Sequence, residues 1–313
     1  MSGQVRRAVR VRAPASSANL GPGFDCAGLC LALYHELTVR EYGGRGFELH
    51  NSGEGADSLP EDETSLVYRA LGTAFGRTDH RPGRLVVESH SDIPLARGLG
   101  SSAAAGLAGL AAGFALAGLE VERPALLDLA MGSEGHADNA APCLYGGFTV
   151  ACRHPAGVRC ARLPVPEGLT AVVAIPDFTL ATSRSRAVLP RTVDLADAVG
   201  NQGRLAQLVA AMATGQLDLL ADAMVDCLHQ PYRAPLVPGF EAVCRAALAA
   251  GALGAALSGS GPTIIALATG GQTDIAAAMA AAWAGAGIRA RTHVLEVDEA
   301  GLQVELIEGD SAT

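Results

Sequence analysis

The chain contains no lysine: all 23 of its basic residues are arginine. That absence removes two large enzyme classes, since a P-loop needs a lysine on the phosphates and pyridoxal chemistry needs one to form its imine. Paired cysteines are missing too. Cys26, Cys30, Cys143, Cys152, Cys160, Cys227 and Cys244 are odd in number and include no Cys-x-x-Cys spacing, so they read as buried free thiols rather than zinc ligands or disulfides. No basic stretch followed by an apolar one opens the chain. "VRRAVRVRA" alternates Val with Arg as a strand does, so no signal peptide is expected and the protein is assigned to the cytoplasm. Positive charge is in deficit, and a net charge of −9 argues against nucleic acid or an anionic membrane surface as partner.

With 313 residues, 49% hydrophobic and 18% charged, the chain can bury a large core in two domains or one large one. Residues 103–119 form an uncharged run of 17. It is short for a membrane span, rich in Ala and Gly, and has no second span beside it. A buried helix whose small residues let it approach a sheet closely is the expectation. The stretch "GLGSSA" before it matches a Gly-x-Gly-x-x-Ala dinucleotide turn, with Glu120 about 20 residues on. That fingerprint needs its first glycine directly after a buried parallel strand, whereas "SDIPLAR" separates the strand "RLVVES" from Gly98 and Pro94 breaks it.

A phosphate-binding loop of another construction fits better. Glycines let successive backbone N–H groups face one point, Ser101 and Ser102 add hydroxyls, and the dipole of the following helix favours an anion. Without lysine, neutralisation would come from a metal ion, for which the Ser102 hydroxyl is a sensible ligand. Two more loops share this composition: "PASSANLGPGFD" near the start, carrying Asn19 and Asp25, and "LSGSGPT" in the last quarter. Three such loops read as convergent on one polyanionic ligand.

"PLARGLGSSA", from Pro94 to Ala103, resembles the ATP signature of the GHMP small-molecule kinases. "PASSANLGPGFDCAGL", "EGHADNAAPCLYGGF", "QPYRAPLVPGF" and "AALSGSGPT" follow the order found in the homoserine kinase branch, over nearly the whole chain. The resemblance implies an α+β, two-lobed GHMP kinase fold, with an N-terminal domain like domain 2 of ribosomal protein S5 (residues 1–160) and a ferredoxin-like C-terminal domain (161–313). It implies transfer of the ATP γ-phosphoryl group to the side-chain hydroxyl of L-homoserine, on the route to threonine. ATP would be held by Pro94, Leu95, Ala96, Arg97, Gly98, Leu99, Gly100, Ser101, Ser102, Ala103, Ala104 and Ser260. Magnesium would be held by Ser102 and Glu134. Asn19, Asp25, His136, Asp138, Arg186 and Arg233 would bind the amino acid, since a carboxylate wants an arginine fork and an ammonium wants carboxylate or amide oxygen. Asn139 and Thr182 join Ser102 as catalytic positions; Asn139 stands where some relatives place an Asp base, so no general base is assigned. "ATSRSRAV" departs from the family's usual Thr-x-x-Ala-Arg, which leaves Arg184 and Arg186 as alternatives for the carboxylate. A homodimer is common among relatives. Other readings are a kinase of another small hydroxy compound and a silent binding relative.

Overall fold

The computed structural model describes residues 4–120 and 122–307, without the side chains of Ser133 and Glu134. Its first sheet is built on a long antiparallel hairpin, β1 (Val5–Asn19) and β2 (Gly23–Tyr42). Val9, Val11 and Ala13 point into the core while Arg10 and Arg12 face water, the two-residue period of a half-buried sheet. The sequence reads "PASSANLGPGFD" as a loop, but β1 continues through it to Asn19 with register shifts at Pro14/Ala15 and Ala18/Asn19, so only a tight turn remains. β3 (Phe47–Gly53) and β4 (Arg84–Ser91) extend the sheet on one side, and β5 (Phe148–His154) and β6 (Gly157–Leu163) form a hairpin on the lower half of β2.

Helices α1 (Leu66–Phe75), α2 (Ser101–Leu116), α3 (Arg123–Glu134) and α4 (Ala140–Tyr145) belong to this lobe. The acidic loop "GEGADSLPEDE" leading into "TSLVYRALGTAF" predicts Thr64 as the cap of α1, but Ser65 takes that place: its hydroxyl accepts from the Tyr68 N–H, and Thr64 bonds Asp62 instead. α2 is apolar all round and buried along most of its length, as expected. Its small residues serve a different neighbour from the one expected. A Cβ on Gly109 would lie 2.7 Å from Ala70 Cβ and one on Gly113 2.6 Å from Ala74 Cβ, so the close approach is to α1 and not to the sheet.

The second sheet, in the order β10 (Ala290–Glu296), β7 (Thr170–Pro176), β9 (Ile264–Ala268), β8 (Gly254–Leu257), is antiparallel throughout. Its β-α-β-β-α-β order is the ferredoxin-like arrangement. Between β7 and β8 run α5 (Thr182–Ala187), α6 (Leu195–Thr214), α7 (Leu220–Ala223), α8 (Gln230–Arg233) and α9 (Phe240–Ala249); α10 (Gln272–Gly285) joins β9 to β10. "LDLLADAMVDCLH" reads as one helix, but only a 3-10 turn (Leu217–Leu219) running into the one turn of α7 forms there, and the residues after Ala223 leave the helix towards the site. In β7, Ala171, Val173 and Ile175 face the core shared with the first lobe, while Val172 and Ala174 face α9 and α10 with Met279 and Trp283. Being covered on both faces, the strand is a continuous apolar run.

β11 (Gln303–Ile307) then leaves the second lobe and pairs antiparallel with β1. The expected division after residue 160 falls inside β6, and the first sheet draws its strands from both ends of the described chain. No disulfide joins the cysteines of the described residues; the expectation that they are buried holds for Cys30 and Cys143, while Cys26, Cys160, Cys227 and Cys244 are partly buried and Cys152 is exposed. Among the described residues no helix is long and apolar enough to cross a membrane.

Candidate active site between the lobes

The loop before α2 is pinned on several sides. The Leu99 carbonyl accepts from Ser16 N at 3.1 Å, the Ala96 carbonyl from Leu180 N at 3.2 Å, and the buried Ser258 hydroxyl donates to the Gly98 carbonyl at 2.6 Å. Both glycines have φ between 75° and 78°. A Cβ on Gly98 would meet the Ser258 carbonyl oxygen at 2.2 Å, and one on Gly100 the Ser16 hydroxyl at 2.1 Å, so neither position admits a side chain. Gly100 caps α2 without a side-chain bond, which leaves first-turn N–H groups without a capping side chain, beside the Ser101 and Ser102 hydroxyls. At this end of the site, backbone N–H groups arranged in this way at a helix N-terminus suit an anion.

The opposite end is made of side chains. Asn19 Nδ2 donates to the Gly259 carbonyl at 2.9 Å and its Oδ1 accepts from Asp25 N at 3.0 Å. Asp25 accepts both Arg186 Nη1 at 3.1 Å and Nη2 at 2.6 Å, a bidentate pair. His136 Nδ1 bonds Asp138, and that carboxylate holds the imidazole pKa above its usual range. Asn139 Oδ1 accepts from the Ser16 hydroxyl at 3.0 Å, which fixes the amide orientation. Arg233 is 1% exposed and makes no ion pair among the described residues. Burial, with Arg186 nearby, pulls its pKa down to about 10, so it carries a positive charge at neutral pH. A buried cation without a counter-charge is expensive, and an incoming carboxylate would relieve the cost.

Of the described residues, four other than glycine have positive φ: Asn19, Leu20, Asp25 and Ala96. Three of them line the cavity between the two ends, where strained backbone is expected to concentrate. That cavity, of about 340 Å³, brings together nearly every expected residue: Asn19, Asp25, His136, Asp138, Asn139, Arg186 and Arg233 from the expected substrate set and its neighbour, and Pro94, Ala96 to Ala103, Thr182 and Ser260 beside them. Arg186, not the exposed Arg184, faces it. Three expectations fall elsewhere. Leu95 lines a neighbouring apolar cavity of about 210 Å³ bounded by Leu49, Pro60 and Val67, which shares Ala96, Ser101 and Ser102 with the first. Ala104 is buried in the core with its N–H bonded to the Gly100 carbonyl, because the helix has closed its first turn there. The Glu134 side chain lies outside the described residues.

Several residues of the site have no motif of their own. Phe24 lies under both arginines, 5.7 Å from the Arg186 guanidinium carbon and 5.2 Å from that of Arg233, and stacks on His229 at 5.0 Å. The turn between β1 and β2 is held from the second lobe: Asn201 Nδ2 donates to the Pro22 carbonyl at 2.9 Å, and His229 Nε2 lies 2.8 Å from the Gly21 carbonyl. The polar residues "D-x-x-H" directly before "QPYR" are the one sequence signal that points to His229.

The chain matches the GHMP kinases N terminal domain over residues 65–147 and the GHMP kinases C terminal domain over 208–285. It is 48% identical to the homoserine kinase of Moorella thermoacetica, over 89% of this chain and 94% of that one. With the homoserine kinase of Deinococcus radiodurans it shares 47% over 83% and 84%. The crystal structure of homoserine kinase from Cytophaga hutchinsonii matches with a TM-score of 0.86 at 34% identity, covering 97% of this chain and 99% of that one. The L. major mevalonate kinase, at 15% identity and a TM-score of 0.70, shares the fold. Two family domains, the collinear relatives and the two-lobed fold agree: the chain belongs to the GHMP kinases and, within them, to the homoserine kinase family.

Proposed function

We propose that the protein transfers the γ-phosphoryl group of ATP to the side-chain hydroxyl of L-homoserine, forming O-phospho-L-homoserine and ADP and releasing the hydroxyl proton. One observation carries this reading: a single cavity has an anion cradle at one end and, at the other, Arg233 without a counter-ion beside the carboxylates of Asp25 and Asp138. That second set is complementary to the carboxylate and ammonium of an amino acid.

The residues present fit magnesium-bound ATP. The apolar cavity beside the cradle suits a base, uncapped N–H groups and serine hydroxyls suit the phosphates, and the Ser102 hydroxyl is an oxygen donor for the ion, with Glu134 as the proposed second ligand. When bound, MgATP supplies the transferable phosphoryl group and neutralises charge on it. The chain supplies position. Arg233, with Arg186, takes the carboxylate; Asp25 and Asp138 take the ammonium; Asn19 holds the strained turn that carries Asp25. This leaves the hydroxyl of the substrate among Asn139, Thr182 and Ser102, facing the cradle. The Asn139 amide orients but accepts no proton, and the two cavity carboxylates are engaged with Arg186 and His136. Catalysis therefore rests on alignment and electrostatics, as a loose phosphoryl-transfer transition state allows.

A coupled ADP-release assay with Mg-ATP against L-homoserine, L-threonine, L-serine, mevalonate and galactose tests the reading. Turnover with L-homoserine alone is expected. Turnover with another alcohol in its place would keep the cradle and discard the assignment of the acceptor end.

A further inference from the structure

We propose that His229 is a positioning residue for the carboxylate subsite: held as the neutral Nε2–H tautomer, it aims Arg233 while leaving the guanidinium charge for the substrate. This rests on the reading that Arg233 receives the substrate carboxylate.

The hydrogen bonds decide the tautomer. His229 is 0% exposed, and its Nε2 lies 2.8 Å from the Gly21 carbonyl, which can only accept, so Nε2 carries the proton. Its Nδ1 lies 3.1 Å from Arg233 Nη1, which can only donate, so Nδ1 is the acceptor. Burial holds the ring on the neutral side, which agrees with both contacts. The Asp226 carboxylate lies 3.6 Å from Nε2, beyond hydrogen-bond distance and on the protonated side of the ring. That carboxylate accepts the backbone N–H groups of Leu228, His229 and Gln230 at 3.0, 2.9 and 2.6 Å, and so serves the turn that presents the imidazole.

The remaining contacts of Arg233 are also neutral: Nε donates to the Ser185 carbonyl at 3.4 Å and Nη1 to the Gly259 carbonyl at 3.0 Å. A carboxylate at position 229 would hold the guanidinium equally well and would cancel its charge. A neutral ring acceptor fixes direction without competing with an amino-acid carboxylate. The same ring stacks on Phe24 with an interplanar angle of 22°, and Phe24 lies under both site arginines. His229 thus ties the β1–β2 turn, the aromatic floor and the buried cation into one unit.

Three substitutions separate these roles. In His229→Asn the amide oxygen replaces Nδ1 as acceptor for Arg233 and the bond to Gly21 is lost. In His229→Gln the amide nitrogen keeps the Gly21 bond and the acceptor near Nδ1 is lost. His229→Leu loses both. We expect His229→Leu and His229→Gln to raise the KM for L-homoserine about tenfold or more, with kcat within about threefold and the KM for MgATP unchanged, and His229→Asn to recover most of that loss. Equal effects of Asn and Gln, or a matched rise in both KM values, would show a structural role and overturn the proposal. Arg233→Ala in the same assay isolates the underlying reading. If it leaves the KM for L-homoserine unchanged, the carboxylate assignment fails; if it raises KM while the His229 variants do not, only the positioning role fails. Nitrogen-15 NMR of the unsubstituted protein gives an independent check that needs no variant to fold: a pyridine-type Nδ1 and a protonated Nε2 are expected at neutral pH. An Nδ1–H tautomer or an imidazolium there would overturn the assignment.

Discussion

The two ends of the site are built from different materials. The proposed phosphate end is backbone: Gly98 and Gly100 turn the chain, and the first turn of α2 offers N–H groups that no side chain caps. The proposed acceptor end is side chain: Arg186, Arg233, Asp25 and Asp138 converge from four segments far apart in sequence. Backbone donors cannot be deleted one at a time, but they fail together when the turn is disturbed. Side-chain groups can be removed singly, and each removal leaves an opposite charge unpaired. The difference predicts which substrate suffers from which substitution.

The sharpest break is Gly98→Ala. The new Cβ lies 2.2 Å from a backbone oxygen at a φ of +78°, so the turn must shift as a whole. We expect kcat/KM for MgATP to fall by about 100-fold or more, together with a lower Tm, since such strain costs of order 1–3 kcal/mol before the clash is counted. A variant with ordinary MgATP kinetics would show that the cradle is not the phosphate site. Next is Arg233→Ala, which removes the buried cation. Steady-state kinetics should show the KM for L-homoserine raised by the equivalent of roughly 2–4 kcal/mol and the KM for MgATP little changed. Ser102→Ala removes one oxygen from a site that keeps its N–H groups. A loss of about tenfold in MgATP use, with a steeper requirement for free magnesium, is expected in a metal titration. An unchanged magnesium dependence would take Ser102 out of the metal shell.

The smallest effect concerns His136. Its pKa is held above the ordinary 6.5 by Asp138, so it adds stability that is complete below about pH 6.5 and is lost as pH rises through the folded-state value. Thermal melts of His136→Ala against the parent should therefore differ most at low pH and converge as pH rises. Curves that diverge instead would reverse the sign of the coupling.

The same contrast explains what the sequence discloses. A backbone site must write itself in glycine, and "GLGSS" reads as an anion cradle from residue types and spacing alone. Arg186 and Arg233 are legible only beside their motifs, and the choice between Arg184 and Arg186 is made by geometry: two residues along α5 are about 200° of rotation, which sends Arg186 to Asp25 and Arg184 to solvent. The roles of Phe24 and Asn201 escape a reading of the sequence, and His229 is marked only by the "D-x-x-H" before "QPYR", because those roles are defined by partners 179 to 208 residues away or by a ring face. The preference of α2 for α1 is hidden in the same way. Gly109 and Gly113 announce a close approach without saying to what.

The return of β11 to β1 bears on how the molecule is made. Ala8 pairs with Ile307, so during synthesis β1 leaves the ribosome and waits for nearly the entire chain before its outer edge finds a partner. Until then the nascent first lobe presents an open row of backbone donors and acceptors to any strand nearby. The lobe that holds the phosphate cradle is thus the earlier to emerge and the later to be finished, and release of the second lobe doubles as the step that seals the first.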